Sequence, residues 1–444
     1  MHSTDDPEVV QHADGRVQLR DDSAIRSSPL YNRDLAPVPV ARRDWTTYNY
    51  AALWISMAHC IPTYMLASSL ISVGMNWWQA LVTILLGNTI VLLPILLNSH
   101  PGTKYGIPFP VFARASYGTI GSNLPALMRA LVACGWFGIQ AWIGGEAMHV
   151  LFGALIPRWP TLLGGPIGGH APTEWISFFV FWALNIYIIY RGMNLLRKVE
   201  NWAAPFVLVM TAVLLAWAIA RAHGLGYLLR QPSRYRSWAD FMPVFIPSLT
   251  GMIGYWATLS LNMPDFTRFG HSQRDQAVGQ VVATLAVNIA ANVVSPANDF
   301  ANAFPRWISF RRGGLIAGIL GLLMQPWRLL ADPSGYIFKW LVGYSGGLGS
   351  IAGVLIADYW LVRGRRLVLG DLYRTEGAYT YANGWNWRAA AATVLGCGLA
   401  WIGLVVPALR PLYDYAWFVG FAASMATYVV LMRASPPRGL HRSA

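Results

Sequence analysis

The sequence predicts an all-α polytopic membrane protein, a five-plus-five inverted-repeat transporter with about eleven apparent spans. Three observations predict it. Apolar runs, each near the ~20 residues that a bilayer-crossing helix needs, recur from about Tyr48 to the end of the chain. Charged residues make up only 12% of the 444, about half the share of a soluble domain. The first and sixth runs are also interrupted in comparable ways by Pro and Gly, the sequence mark of paired broken helices around a midplane site.

Residues 1–44 precede the first run as a tail rich in Asp, Arg, Ser and Pro. It lacks the short apolar core of a cleavable signal, so the first span is expected to stay in place with the tail cytoplasmic beside Arg42 and Arg43. Spans are then expected at 48–73, 77–98, 124–155, 174–192, 201–222, 240–262, 281–304, 313–330, 334–362, 387–408 and 413–433. These divide a transmembrane domain of residues 45–434 into a first repeat (45–222), an incomplete second repeat (240–362) and two final spans (387–433), with residues 435–444 as a cytoplasmic tail. The net charge of +13 is dispersed through loops such as RGMNLLRK (191–198), FRRGG (310–314) and VRGRR (362–366). That is the positive-inside bias of a multi-pass cell-membrane protein, not a stripe for nucleic acid. Cys60, Cys134 and Cys397 fall in apolar segments without metal-ligand spacing and are expected to be packing residues.

The first span, NYAALWISMAHCIPTYMLASS, carries His59 and Pro62 near its middle; the sixth, VFIPSLTGMIGYWATLSLN, carries Pro247, Gly251 and Gly254. Pro removes a backbone hydrogen bond, and at membrane depth the groups left over must face a cavity, an ion or a neighbour. Ordinary kinks in a tight bundle are the alternative. Charge parity adds a second irregularity. Arg268 and Arg274 follow the sixth span and Arg306, Arg311 and Arg312 follow the seventh, so two inside-type loops flank one crossing. The parity fails by one helix near Gln280 and Val281, which implies a re-entrant segment or a missing span.

Polar side chains inside the apolar runs mark the candidate site. Trp136 and Gln140 are four apart and share a helical face, as do Asn288 and Asn292. Amides offer donors and acceptors and an indole offers a flat apolar surface, a combination suited to a small planar neutral ring. The competing reading is interhelical glue, at about 0.6 to 2 kcal/mol per bond. Trp136, Gln140, Trp256 and Asn292 taken together favour a cargo. Glu146 with His149 reads as an interfacial pair, Asp265 with Arg268 as a pair at the cytoplasmic end, and VGYSGGLGS (342–350) as a close helix contact. His59 is a candidate for proton coupling. No nucleophile elbow, phosphate loop or zinc motif is present, so an enzyme is not expected and no cofactor is implied.

LYNRDLAPVP, RDWTTYNYAALW, AHCIPTYMLAS, GWFGIQAWIGG, NIAANVVSPANDF and DLYRTEGAYTYANGWNW together resemble the nucleobase:cation symporter-1 family, which includes hydantoin, allantoin, purine, uracil and cytosine permeases. The resemblance implies a twelve-span fold and import of such a ring by alternating access. It places the ring between Trp136 and Trp256, hydrogen-bonded by Gln140 and Asn292, with Gly254 and Tyr255 lining the same site. It also implies a sodium site formed by the carbonyls of Ser56, His59 and Ala283 and by hydroxyls at the positions of Ala286 and Val287. Neither of those two residues has a hydroxyl, and a hard cation wants oxygen ligands, so coupling to a proton, or a loosely coupled carrier, is favoured over coupling to sodium. Between Gln280 and Val281 the family carries a further stretch that includes its seventh span. An amino-acid carrier sharing the repeat, and a member that binds its ring without transporting it, are the alternatives.

Overall fold

The computed structural model describes residues 7–58, 60–191, 193–283, 294–327 and 333–435. Despite its polarity the tail is folded. Strand β1 (Val9–Gln11) pairs antiparallel with β2 (Val17–Leu19), and Val17, Ile25, Leu35, Val38 and Trp45 are buried. Arg43 pins the tail to the bundle. Its guanidinium donates to the carbonyls of Val17, Val38 and Thr103 at 2.8 to 3.1 Å, which satisfies a cation that burial would otherwise penalise.

The first span is broken as expected. Helix α1 (Thr47–Ala58) and helix α2 (Ile61–Ser72) are twelve residues each, with Cys60 extended between them. Pro62 sits in the first turn of α2, where a missing N–H interrupts nothing. Helix α3 (Trp77–Tyr105) starts from a reciprocal Asn76–Gln79 capping box. A short helix α4 (Phe109–Tyr117) leads into α5 (Asn123–Leu155), then α6 (Pro172–Arg191) and α7 (Met193–Arg221). Helix α8 (Trp238–Ala257) runs straight through Pro243, Pro247 and Gly251. Pro243 and Pro247 have no N–H for the Ala239 and Pro243 carbonyls four residues back, so the helix loses two bonds without ending. The interruption in the sixth span is slight and lies at Thr258, beyond Gly254: the hydrogen bonding is irregular there while the backbone stays helical, and two short helices (Leu259–Asn262 and Pro264–Thr267) follow.

The second half continues with α9 (Gln273–Ala283), α10 (Val294–Ala303), α11 (Phe310–Leu323), α12 (Pro333–Ile356), α13 (Trp387–Trp401) and α14 (Ala416–Ala434). Among the described residues, seven helical segments are long and apolar enough to cross a membrane by length and composition. That is fewer than the eleven apparent runs: the first span is split in two, the apolar part of α7 (Pro205–Arg221) and α11 are shorter, and the run at 281–304 falls partly outside the described residues. The Gly-rich run of α12 is a close contact: a Cβ on Gly349 would stand 2.6 Å from the Trp417 carbonyl, and one on Gly420 would stand 2.4 Å from that of Gly346.

The tail also fixes which loops share a side. Asn32 Nδ2 donates to the carbonyls of Pro305 and Ile308. The Phe310 N–H donates to Asp34 Oδ2, and Arg268 Nη1 donates to the Asp34 carbonyl. Tyr373 Oη donates to the Leu35 carbonyl. The loops at 268 and 310 therefore lie on one side of the bundle, which is what the distribution of arginines requires. Of the chain between them the structure describes α9 and α10.

Candidate functional site

Trp136 and Gln140 stand one above the other on α5, and both Trp136 and the end of α8 at Gly254, Tyr255 and Trp256 are buried. The Tyr255 ring meets Trp136 edge-on at 5.1 Å and Trp256 edge-on at 4.4 Å. The two indoles thus share Tyr255 as a common neighbour. Trp256 is further held by an edge contact with Trp54 at 6.2 Å and by its Nε1, which donates to Asn88 Oδ1 at 2.7 Å. The Tyr255 hydroxyl lies 3.0 Å from Thr63 Oγ1 and 3.4 Å from Cys60 Sγ. Residues beside the break in the first span therefore touch the residue that precedes Trp256, and the two interrupted spans meet here.

Gln140 is half-buried, and its Nε2 is fully buried with no hydrogen-bond partner among the described residues. An amide nitrogen left this way costs about 1 to 3 kcal/mol unless something arrives to accept from it. The glue reading requires a partner on a neighbouring helix, and no described residue provides one. Glycines on the same helix let neighbours approach closely. A Cβ on Gly138 would lie 2.3 Å from the Gly321 carbonyl of α11.

Of the other candidates, His59, Ala286, Val287, Asn288 and Asn292 lie outside the described residues. Ser56 falls in the last turn of α1 and Ala283 ends α9. Glu146 and His149 do not pair with each other. Glu146 accepts from the Trp142 indole at 2.8 Å and His149 from the Trp159 indole at 3.1 Å, because an aromatic neighbour lies within reach of each. Asp265 accepts from the Phe109 N–H while Arg268 turns to the Asp34 carbonyl, since the folded tail supplies an acceptor that a bare helix end would lack. Asn88, Thr63 and Tyr344 also touch this cluster and were not singled out from the sequence. Asn88 carried the same signal as Gln140, an amide inside an apolar run. Tyr344 was hidden within the Gly-rich stretch.

Below the aromatic cluster, Arg129 and Asp299 form a buried pair at 3.2 Å between α5 and α10. Arg129 is seven residues before Trp136, two turns or about 10 Å along the same face toward the tail side. Asp299 Oδ1 and both amide atoms of Asn298 are buried without a partner among the described residues.

A first span that breaks midway beside an aromatic cluster, with an unanswered amide on the neighbouring α5, is the construction of secondary transporters; in class, this is a multi-pass membrane transporter. Comparison with known proteins narrows the class. The family of permeases for cytosine/purines, uracil, thiamine and allantoin matches residues 37–285 and again 281–420, and the chain belongs to it. The allantoin permease of Bacillus subtilis (strain 168) is 38% identical over 483 residues, covering 94% of this chain and 96% of that protein. The purine-uracil permease of Arabidopsis thaliana is 38% identical over 466 residues, covering 91% and 78%. Among solved structures, Mhp1, a nucleobase-cation-symport-1 family transporter in a closed conformation with bromovinylhydantoin bound, superposes with a TM-score of 0.75 at 25% identity over 91% of this chain and 96% of its own. The alignment with the Bacillus permease is longer than the 444 residues of this chain, so it includes residues that have no counterpart here. The two stretches of the family match meet at 281–285, where the charge parity fails.

Proposed function

We propose that this permease is a symporter that imports a nucleobase or related ring, allantoin first among allantoin, hydantoin, uracil and cytosine, by alternating access. The ring lies between Trp136 and Trp256, takes hydrogen bonds from Gln140 and Asn292, and is lined by Gly254 and Tyr255. The observation that carries this reading is Gln140 Nε2, a buried donor without a described acceptor on the helical face that also presents Trp136. The protein sits in the cell membrane with its N-terminus cytoplasmic, a placement supported by the arginines at 268, 306, 311, 312, 363, 365 and 366. Its coupling ion is a proton rather than sodium. Carbonyls of Ser56, His59 and Ala283 without hydroxyls at Ala286 and Val287 form a poor cage for a hard cation.

Uptake of allantoin, hydantoin, uracil and cytosine into expressing cells, with and without sodium at two pH values, tests this. One ring should accumulate, more at the lower external pH, and Gln140→Ala should abolish uptake while the protein still inserts. Uptake by that variant at unchanged KM rejects the site. A second reading, binding without translocation, is favoured by the family residues that have no counterpart near 281. Saturable binding of a labelled ring without accumulation in vesicles would establish it.

A further inference from the structure

Lys104 and Arg365 are 261 residues apart in the chain and meet on the tail side of the bundle. Lys104 stands in the last turn of α3, where Arg43 donates to its carbonyl, and Arg365 lies in the loop just after the apolar span Trp340–Val362. The loop is shaped to bring the two together. Gly364 and Arg365 have φ of 54° and 67°, and in a residue with a side chain such a conformation persists only where its surroundings impose it. Hydrogen bonds impose it here. The Arg365 N–H donates to the Tyr359 carbonyl at 2.7 Å, and the Arg365 carbonyl accepts from Lys104 Nζ at 2.9 Å and from Tyr105 Oη at 3.2 Å. Tyr105 Oη in turn accepts from the Leu367 N–H at 2.9 Å.

The result is a like-charge cluster held in place. Arg365 and the adjoining Arg366 are the charged groups that act on Lys104 through space, and neither Lys104 nor Arg365 pairs with a carboxylate among the described residues. Arg363 is the contrast, since it binds Asp358 at 2.7 Å. The exposed Arg365 lies with its guanidinium 5.6 Å over the Trp360 ring, and the Lys104 ammonium lies 5.2 Å over the Tyr105 ring. Trp360 is fixed by donating to the Leu97 carbonyl of α3 at 3.2 Å. Leu361, in the last turn of its span, is 57% exposed and so faces the acyl region.

A diffuse arginine bias decides which side a loop occupies and needs no such geometry. Converging cations, aromatic rings at the ends of two spans and an exposed leucine match the successive levels of a phospholipid: phosphate, interface and acyl chain. We propose that Lys104 and Arg365, with Arg366 adding charge, form a seat for the phosphate of an acidic phospholipid on the tail side of the membrane, its acyl chain lying along Leu361. The guanidinium supplies a planar donor fork and the ammonium a point charge. The lipid cancels the repulsion between them and fastens the end of α3 to the loop after α12.

The test is binding of dioleoylphosphatidylglycerol to the purified full chain in neutral detergent, read as lipid adducts by native mass spectrometry, with dioleoylphosphatidylcholine as the comparison. The acidic lipid should bind more tightly than the zwitterionic one, and Lys104→Gln with Arg365→Gln should weaken its binding roughly tenfold. Unchanged binding by that variant, or equal affinity for the two lipids, overturns the proposal. Arg306→Gln with Arg311→Gln removes as much charge from the same side and should leave binding unchanged; an equal loss there would mean a diffuse field and no seat. Soluble glycerophosphate at matched concentration should not displace the lipid, and full displacement rejects a lipid as the occupant. The two-lipid and glycerophosphate measurements use the unaltered protein, so they decide the matter even where the double variant does not fold.

Discussion

At the scale of single residues, the fate of each buried polar atom distinguishes structural from functional side chains. Asp358 is fully answered: Arg363 donates to it at 2.7 Å, Tyr428 at 2.7 Å and Ser116 at 3.1 Å. Asp299 has one described bond to Arg129, and its other oxygen has no described partner. Truncating one member of a buried ion pair strands a charge and costs about 3 to 5 kcal/mol, whereas replacing both with apolar residues costs far less. Arg129→Met alone should sharply lower thermal stability in detergent, and Arg129→Met with Asp299→Leu should recover most of the loss. Asn88→Leu removes the acceptor of the Trp256 indole, at about 1 to 3 kcal/mol. Its expected signature is a raised KM for uptake with near-normal expression, and an unchanged KM would free Asn88 from any role in placing the indole. Gln140 was legible in the sequence because an amide in hydrocarbon is costly wherever it occurs. Asn88 was equally conspicuous but lay in a span without a break, and only the packed structure brings it beside Trp256.

Elements obey rules that the sequence carries more openly. The split of the first span, the close contact at 342–350 and the failed parity near 281 all followed from where Pro, Gly and Arg stand. The break in the sixth span did not. Pro247, Gly251 and Gly254 look like the interruption, yet α8 runs past them and its hydrogen bonding falters only at Thr258, because neighbouring helices compensate the bonds lost at its prolines. Where α12 meets α14 there is backbone on both sides, so Gly420→Val cannot be accommodated by a rotamer change. Overpacking of this kind costs about 1 to 3 kcal/mol or more, and a reduced monodisperse fraction after extraction would register it. At the start of α9, Asp275 accepts from the Thr47 N–H and hydroxyl at 3.1 and 2.8 Å, tying this limb to α1. Burial works to raise the Asp275 pKa, but the hydrogen bonds from Ser272 and Thr47 outweigh it and hold the carboxyl below its ordinary value. Its contribution is therefore complete above the ordinary carboxylate pKa and disappears as pH falls through the lowered one. The thermal-stability difference between the unaltered protein and Asp275→Asn should be flat above the ordinary carboxylate range and shrink as pH falls below it.

For the whole molecule, sidedness was legible and the tail was not. Arginine counts alone placed the loops at 268–274 and 306–312 on one side, and Asp34 touches both. Cysteines introduced at Arg274 and Arg311 should accordingly react with a membrane-impermeant maleimide from the same face; labelling from opposite faces would contradict the fold. The tail, by contrast, reads as solvated and polar, and its order comes from partners far along the chain that no local pattern announces.

Those partners have a kinetic consequence. Asn32, Asp34 and Leu35 bind loops that follow the sixth span, precede α11 and follow α12. Were alternating access to open the tail's side, it would have to part those loops, and the grip of the N-terminal segment on them would then set a ceiling on how fast cargo is released.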